Sequence, residues 1–267
     1  MVNVVITGSS KGIGFGLACE FASRGNTVML TGSTQRSVDA AMKKVRSADL
    51  SGRVVGMVCN VCEATQVEAL WETASSAFGS VDIWINNAGL ARTTFAIKDT
   101  PSDQITQMIT SNLLGTALGS KAAINGMRAQ GSGKLFNMLG GGSDGEYFPG
   151  MGIYGSTKRG MDYLTDALVK ENADSNIVIA KIRPGMIITE GVVREAKADP
   201  ENFEKSRKAM NALCDTVETV APFLVDEILA CNKSGSKIRW LTGGKIGMRM
   251  MKARFTTQAD KFEAFGL

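Results

Sequence analysis

The 267-residue sequence contains no histidine. This absence excludes the Ser-His-Asp and Cys-His catalytic groups, and it removes the imidazole ligands on which many zinc sites depend. Any general acid or base in this chain must therefore be a tyrosine, a lysine, a cysteine or a carboxylate. We expect no metal site.

Cysteine and long apolar runs are also scarce. The five cysteines are an odd number without framework spacing, which is typical of reduced thiols in a reducing compartment. Cys59 and Cys62 form a C-x-x-C pair, for which packing is favoured over a redox role. No segment approaches the ~20 apolar residues of a membrane span, and the chain opens on a strand-like segment without a leader. The expected location is the cytoplasm, or the plastid stroma if the source is a photosynthetic eukaryote.

The residues that are present favour one α/β domain over 1–267. Hydrophobic residues make up 44% and charged residues 21%, as in ordinary globular proteins. Strand-like runs alternate with segments of helical pattern; the runs are 2–6, 27–31, 53–58, 81–85, 134–139, 177–182 and 237–242. This order predicts a doubly wound parallel sheet of about seven strands with helices on both faces, which binds ligands at the carboxyl ends of its strands.

A glycine-rich turn follows the first predicted strand. Gly8, Gly12 and Gly14 let the backbone turn tightly and let a pyrophosphate approach the N-terminus of the next helix, where free N–H groups and the helix dipole favour an anion. Strand, turn and helix in this order predict a dinucleotide site. The other predicted contacts of this loop are Ser10, Lys11 and Ile13.

The residues after the second strand indicate which dinucleotide binds. An NAD enzyme usually has an acidic residue near this point to hold the ribose 2′-hydroxyl. This chain has Ser33, Thr34 and Arg36 instead, with no carboxylate before Asp39. These hydroxyls, with the cations of Arg36 and Lys11, suit a 2′-phosphate and favour NADPH or NADP over NAD. The alternative is that both cations are solvated surface charges.

Three further loops are predicted at the same edge of the sheet. We expect the loop after the third strand to lie along the adenine, and the small residues after the fourth strand to pass close to the ribose and the nicotinamide. The loop after the sixth strand reaches the same edge. The predicted cofactor contacts in these loops are Asn60, Val61, Asn87, Ala88, Gly89, Pro184, Gly185, Ile187 and Thr189.

A tyrosine and a lysine four residues apart form the predicted chemical centre. The segment 134–158 reads as a buried strand, a glycine-rich loop and a helix that carries Tyr154 and Lys158 on one face. A phenol has an ordinary pKa of about 10, and a fixed ammonium nearby stabilises the phenolate and lowers that value. The pair is suited to acid–base exchange with a carbonyl or an alcohol.

The chain resembles the short-chain dehydrogenase/reductase family over at least residues 1–190. The motifs that carry the resemblance are TGSSKGIG, NNAG, SNLLGT with Asn112, YGSTK and RPG, in the family's order and spacing. The resemblance implies a Rossmann-type fold, a nicotinamide cofactor, a small-molecule carbonyl substrate and a Ser-Tyr-Lys-Asn catalytic group. It implies that Tyr154 exchanges the proton, that Lys158 holds the nicotinamide ribose and lowers the tyrosine pKa, and that Asn112 holds a proton-relay water.

The serine of that catalytic group is displaced. The family usually has it at the position occupied here by Gly141, and the nearest hydroxyl is Ser143. The loop is one residue longer than expected, and its three glycines can fold Ser143 back into the catalytic position. The alternative is a capping or turn serine.

A narrower resemblance points to the chlorophyll b reductase branch of the family. It is carried by FNMLGGGSDG, YGSTKRG, RPGMIITE and KIRWLTGGKIGMRMMKARF. The implied reaction is NADPH-dependent reduction of the 7-formyl group of chlorophyll(ide) b to 7-hydroxymethyl, with a large tetrapyrrole as substrate. Two alternatives stay open: a general short-chain dehydrogenase for another aldehyde, ketone or steroid-like alcohol, and a non-catalytic dinucleotide-binding sensor.

The last eighty residues are read as a lid and a tail. Residues 186–232 follow the sixth strand, where this architecture has its substrate lid. The extension 243–267 mixes basic and apolar residues with no acid before Asp260. It suits peripheral membrane contact, a cover for a flat ligand, or packing on a partner subunit, which is favoured. The family resemblance implies a homodimer or homotetramer, and the modest net charge of +4 without any RNA or DNA motif predicts no nucleic-acid binding.

Overall fold

The computed structural model describes residues 1–93, 95–256 and 259–267. Within them, a parallel sheet is formed by β1 (Asn3–Ile6), β2 (Thr27–Gly32), β3 (Val54–Val58), β4 (Ile83–Asn86), β5 (Gly133–Met138), β6 (Ile177–Arg183) and β9 (Lys237–Arg239). The strand order is β3-β2-β1-β4-β5-β6-β9. The order reverses between β1 and β4, which is the switch point where such sheets bind ligands. The prediction of a doubly wound, seven-stranded Rossmann-type sheet is confirmed.

Helices connect the strands on both faces of the sheet. They are α1 (Gly12–Ser23), α2 (Gln35–Ser47), α3 (Ala64–Phe78), α4 (Ser102–Met108), α5 (Gly115–Gln130), α6 (Gly152–Glu171), α7 (Glu190–Ala198), α8 (Pro200–Leu213), α9 (Val217–Ala230) and α10 (Gly243–Phe255). A π-helical turn, Ile109–Leu114, joins α4 to α5 without a break. Such turns inside helices are frequent at functional sites.

The strands bury alternate side chains on opposite faces of the sheet. Val4 and Ile6 of β1 belong to the apolar core shared with α1 and α9. Val5 of β1 and Trp84 of β4 belong to the core shared with α3 and α5. Because both faces are covered, the strands read as continuous apolar runs, which is why the sequence predicts them well. Packing on both faces fixes the strand ends from which the site residues project.

Two features between β6 and β9 were not predicted from the sequence. β7 (Met186–Ile188) and β8 (Cys214–Thr216) form a small parallel pair, which the sequence pattern does not predict because three-residue strands give no periodic signal. The helical segment after β7 is divided in two, since Asp199 caps a new helix that begins at Pro200.

The range 186–232, predicted as the substrate lid, contains two kinds of structure. α7 and α8 pack with Cys214 and Phe262 in a small apolar cluster of their own. α9, in contrast, buries Val220, Leu224 and Val225 in the main core beside α1. A lid would therefore be limited to the part of the range before α9.

The C-terminal extension 243–267 begins with α10. Its residues 257 and 258 lie outside the described part of the chain. α10 has no buried residue and is held at one side, where the Nζ of Lys245 lies 3.1 Å from the centroid of the Trp240 ring and Arg249 pairs with Asp215 at 2.7 Å. Among the helices of the described ranges, none has the length and apolar character needed to cross a membrane.

Candidate active site

The turn between β1 and α1 has the geometry of an anion site. α1 begins at Gly12 without a side-chain cap or an acidic residue in its first turn, so its first N–H groups point outward uncapped. Gly8 and Gly12 have φ angles of +61° and +58°, which other residues rarely adopt. A Cβ at Gly12 would lie 3.6 Å from Cγ2 of Thr189, within the space facing the turn. The residues present therefore fit a dinucleotide pyrophosphate.

Asn87 fastens this turn to the end of β4. Its Nδ2 donates to the carbonyl oxygens of Thr7 and Gly8 at 2.9 and 3.1 Å. The backbone N–H groups of Asn87 and Ala88 donate to the hydroxyl of Thr7. A Cβ at Gly8 would lie 2.7 Å from the Cα of Ala88, so only glycine permits this approach. Asn87 thus shapes the glycine-rich turn between β1 and α1, while its predicted contact with the cofactor stays a prediction.

The predicted 2′-phosphate contacts form an exposed rim beside the turn. The exposed residues of the rim are Lys11, Ser33, Thr34 and Arg36. Thr34 caps α2 by accepting the N–H of Ser37 at 3.2 Å, which leaves its own hydroxyl proton free to donate. A Cβ at Gly32 would lie 3.0 Å from the Oγ of Ser10. The arrangement suits an anionic group, and Ser37 is a hydroxyl that the sequence did not single out.

α6 holds Tyr154 and Lys158 against the carboxyl end of β5. The Nζ of Lys158 donates to the carbonyl oxygen of Met138 at 2.9 Å and lies 5.6 Å from the centroid of the Tyr154 ring. A Cβ at Gly140 would overlap the Tyr154 hydroxyl oxygen and would lie 3.4 Å from Cε of Lys158. The glycine therefore lets the main chain after β5 lie directly against the phenol.

Burial sets the ionisation of this pair. It raises the pKa of Tyr154 to about 12, although the positive charge of Arg183 acts in the opposite direction. Burial also lowers the pKa of Lys158 to about 8. In this arrangement desolvation of the hydroxyl outweighs the charge of Arg183, and the lowering of the tyrosine pKa by Lys158 stays a prediction. At neutral pH the phenol keeps its proton, the form that can donate to an alkoxide.

Asn112 lies in the π-helical turn and is fully buried. Its Oδ1 accepts the N–H of Leu90 at 2.7 Å, and its Nδ2 donates to the carbonyl oxygen of Leu90 and to the hydroxyl of Thr157. A Cβ at Gly89 would lie 3.2 Å from this Oδ1 and 3.6 Å from the Nζ of Lys158. The side chain thus joins the loop after β4 to α6, and its predicted part in a proton relay stays untested.

Ser143 is buried in the glycine-rich turn after β5. Its Oγ has no hydrogen-bond partner among the described residues, which is unusual for a buried hydroxyl. The turn depends on Gly142, whose φ is +87° and where a Cβ would lie 2.6 Å from the Cα of Gly155 in α6. A capping role would have engaged the hydroxyl, but the side chain is also 0% exposed, so the catalytic role of Ser143 stays a prediction.

The remaining predicted contacts are divided between loop and core. Asn60 closes its own turn by accepting the N–H of Cys62, and Val61 packs on Gly115 of α5. Gly185 has a φ of +86° and lets the chain turn after β6. The side chain of Ile187 is buried in the main core, so only its backbone could reach a ligand. Pro184 is buried as well, whereas Thr189 faces Gly12 in the turn between β1 and α1.

Several residues of the site carried no sequence signal. Thr157 accepts from Asn112 and donates to the carbonyl oxygen of Tyr154 at 2.7 Å. Below the site, Asn86 and Asn137 join in a buried polar network, in which the Nδ2 of Asn86 donates to the Oδ1 of Asn137 at 2.9 Å. Buried polar residues that follow apolar strands would have been the clue to this network.

The cysteines form no disulfide within the described residues. The Sγ of Cys59 lies 3.7 Å from the carbonyl oxygen of Gln66, and the Sγ of Cys62 lies 3.9 Å from the hydroxyl of Ser111. Burial raises the pKa of Cys59 to about 11, which makes it a poor nucleophile. In the described part of the chain, no cluster of three carboxylate or thiol side chains could hold a metal ion.

Known proteins of one family are similar to this chain over most of its length. A family model described as short chain dehydrogenase matches residues 2–200. The chain is 35% identical over 260 residues to the probable chlorophyll(ide) b reductase NYC1, chloroplastic, of Arabidopsis thaliana, with 91% of this chain and 51% of that protein covered. It is 34% identical over 272 residues to the chlorophyll(ide) b reductase NOL, chloroplastic, of Oryza sativa subsp. japonica, with 98% and 78% covered. The chain therefore spans about half the length of the first relative.

Two crystal structures share the fold. Levodione reductase matches with a TM-score of 0.80 and 25% identity, over 91% of this chain and 97% of that one. A variant of actinorhodin polyketide ketoreductase with NADPH matches with a TM-score of 0.78 and 21% identity, over 90% and 95%. At this identity the second similarity concerns the fold alone.

Proposed function

The chain belongs to the short-chain dehydrogenase family, and from this premise we propose that it is an NADPH-dependent reductase of carbonyl groups. The observation that carries the proposal is the meeting of Tyr154, Lys158 and Gly140 at the same sheet edge as the uncapped glycine turn of α1. A dinucleotide sensor would not need a desolvated phenol and ammonium at that edge, so the catalytic function is favoured over the sensor.

The mechanism assigns one task to each side chain. NADPH, when bound along the turn after β1, supplies the hydride that the carbonyl carbon receives. Tyr154 gives its hydroxyl proton to the oxygen, which closes the reduction to an alcohol. Ser143 donates its unpartnered Oγ–H to the same oxygen. Lys158 holds the nicotinamide ribose, and with Asn112 returns a proton to the phenolate.

The proposed substrate is chlorophyll(ide) b, whose 7-formyl group becomes 7-hydroxymethyl. Similarity to relatives named chlorophyll(ide) b reductase extends over more than nine tenths of this chain. Apolar side chains around the turn that carries Ser143 support a large flat ligand. Ile97, Tyr147 and Phe148 are exposed, and Phe148 and Met151 approach Gly141. Because both relatives are named chloroplastic, the proposed location in a photosynthetic eukaryote is the plastid stroma. The proposed assembly is a homodimer or homotetramer.

A substrate panel tests this function. The loss of NADPH absorbance is followed with chlorophyllide b, simple aldehydes, cyclic ketones and a ketosteroid. We expect the highest kcat/KM with chlorophyllide b. Activity with ketones alone would contradict chlorophyllide b as the substrate and would indicate a general short-chain dehydrogenase. The similarity to levodione reductase favours this alternative. If no carbonyl causes NADPH consumption, the enzymatic function is excluded and the dinucleotide-binding sensor is the function that remains.

Ser143→Ala tests the displaced serine. Loss of one donor to a developing oxyanion lowers kcat by about 10²-fold, and we expect this loss with little change in the affinity for NADPH. The matched control is Ser156→Ala, which removes an exposed hydroxyl of α6 that donates to the carbonyl oxygen of Gly152. An unchanged kcat in the Ser143 variant would make this residue a turn serine.

Arg36→Ala tests the preference for NADPH. Arg36 is exposed near the start of α2, and its loss is expected to weaken NADPH binding about tenfold, as for one charge-assisted contact to phosphate, with NADH binding unchanged. Arg46→Ala, at the other end of the same helix, serves as the control. Equal effects on both dinucleotides would remove the 2′-phosphate assignment. Titration of each variant by nucleotide fluorescence measures both affinities.

Although the sequence favours packing on a partner subunit for this extension, the exposed apolar side chains and the cations of α10 lead us to propose a peripheral contact with an anionic bilayer. Met248, Met251 and Phe255 follow one another at three and four positions, so they form one stripe, and they are 65%, 65% and 79% exposed. Lys252 and Arg254 flank the stripe, and α10 contains no acidic residue. Apolar side chains bordered by cations are the arrangement that binds to the headgroup region of anionic lipids.

Vesicle sedimentation tests the contact. The variant with Met251→Ser and Phe255→Ser is expected to lose most of its binding to phosphatidylglycerol vesicles, because a stripe of three loses two apolar anchors. Tyr163→Ser, at another exposed aromatic residue, is the control. If the substitutions instead change only the oligomeric mass, a second copy of the chain covers the stripe.

A further inference from the structure

The turn that carries Ser143 is bound to the sheet by a charged cluster. Asp144, the next residue, pairs with cations of two different strands: with Arg183 of β6, with Lys237 of β9 at 2.6 Å, and with Arg239 of β9 at 3.1 Å. The pair of Asp144 and Arg183 is about four fifths shielded from solvent on each side chain. One carboxylate therefore joins the turn to both β6 and β9.

The composition of the turn makes such an attachment necessary. Glycines at 140, 141, 142 and 145 leave the backbone with many accessible conformations, and fixing each of them costs entropy. Inside the turn, the N–H of Ser143 donates to the carbonyl oxygen of Gly140 at 3.3 Å, a long hydrogen bond. The strongest attachments are thus the ion pairs of Asp144 and the hydrogen bond from Arg159 to the carbonyl oxygen of Ser143 at 3.0 Å.

Arg183 connects this cluster to the phenol. Its second guanidinium nitrogen pairs with Glu146 at 2.7 Å. Its charge reaches Tyr154, where it opposes the effect of burial on the pKa. The cations around Asp144 hold the pKa of that carboxyl below its usual range, so the pairs are intact at neutral pH.

We propose that Asp144 and Arg183 act as one positioning pair, which holds the Ser143 turn against Tyr154 in the reactive geometry. Neither side chain touches the reacting atoms in this assignment: the pair acts through Ser143 and the main chain at Gly140. The inference rests on the proposed reductase function. It adds two residues whose charges fix the position of the turn and do not contact the substrate. A partly shielded pair with several partners is suited to this task, whereas an isolated exposed ion pair contributes little.

Steady-state kinetics of four variants test the pair. Asp144→Asn and Arg183→Met are each expected to lower kcat about 10- to 100-fold, as for a misplaced reacting group, with KM and NADPH affinity nearly unchanged. Arg183→Lys keeps the charge and is expected to recover most of the rate. The double variant of Asp144→Asn with Arg183→Met should have a kcat no lower than that of the slower single variant. Either substitution alone already breaks the pair, so the second one removes no further interaction. Additive losses, or losses in KM alone, would contradict the proposal.

Amide hydrogen exchange tests the pair without activity. Peptides that cover residues 140–146 are expected to exchange faster in the Asp144→Asn and Arg183→Met variants, while β1 and α1 exchange as in the parent protein. The control removes the surface ion pair of Arg128 and Asp174, with Arg128→Met, and is expected to leave these peptides unchanged. Unchanged exchange in the turn, or faster exchange throughout the chain, would overturn the proposal. If the parent protein reduces no carbonyl, the proposed function fails while this measurement still decides whether the pair fixes the turn.

Discussion

Replacing Tyr154 with phenylalanine is expected to lower kcat by about 10²- to 10⁴-fold, the usual contribution of a positioned acid or base. The ring and its packing are kept, so only the proton donor is lost. NADPH affinity should stay nearly unchanged, because Lys158 keeps its hydrogen bond to the carbonyl oxygen of Met138. Stopped-flow measurement of NADPH oxidation, together with nucleotide titration, separates the chemical step from binding.

The chain offers a matched control for this substitution. Tyr163 lies on the same helix, α6, and is 76% exposed. Tyr163→Phe should therefore leave kcat unchanged. It controls for the removal of a tyrosine hydroxyl from α6. Near-normal turnover of the Tyr154 variant would exclude the tyrosine as the proton donor.

Gly140→Ala is the second change with a large expected effect. The added Cβ would overlap the Tyr154 hydroxyl and would lie 3.1 Å from Cζ of the ring, so the phenol has to move. A displacement of about 1 Å of a reacting group can cost about 10²-fold in rate, and we expect a loss of kcat of that size. Thermal unfolding measured beside the kinetics distinguishes a displaced phenol from a destabilised protein.

Gly155→Ala is the control for Gly140. A Cβ at Gly155 would lie 3.7 Å from the Cα of Gly142, which is ordinary contact, and alanine is favoured over glycine in a helix such as α6. Its activity and unfolding temperature should therefore match or exceed those of the parent protein. Full activity of Gly140→Ala would show that the phenol does not depend on this close approach.

The fold was largely predictable because both faces of the sheet are buried. Strands such as β1 and β2 read directly as apolar runs, and the turn before Gly12 has its glycines where φ is positive. The break between α7 and α8 could also have been found, since Asp199 followed by Pro200 is a helix start. The pair β7 and β8 could not, because three residues are too few for periodicity.

The site was predictable only where a side chain itself signals chemistry. Tyr154, Lys158 and Asn112 stand in recognisable motifs, whereas Gly140 acts by having no side chain, and nothing in its own identity reveals what lies beside it. The pairing of Asp144 with cations of β6 and β9 joins residues far apart in the chain. The high pKa of Tyr154 likewise follows from burial, which only the packed structure defines.

The central claim is that hydride passes from NADPH to a carbonyl carbon at this sheet edge. The most direct measurement is mass spectrometry of the product formed from chlorophyllide b with NADPH deuterated at the transferring nicotinamide carbon. The predicted result is a single deuterium on the new hydroxymethyl carbon, with incorporation by the Tyr154→Phe variant slowed by about the same 10²- to 10⁴-fold as its kcat. NADPH consumption without deuterium in the alcohol would contradict the account.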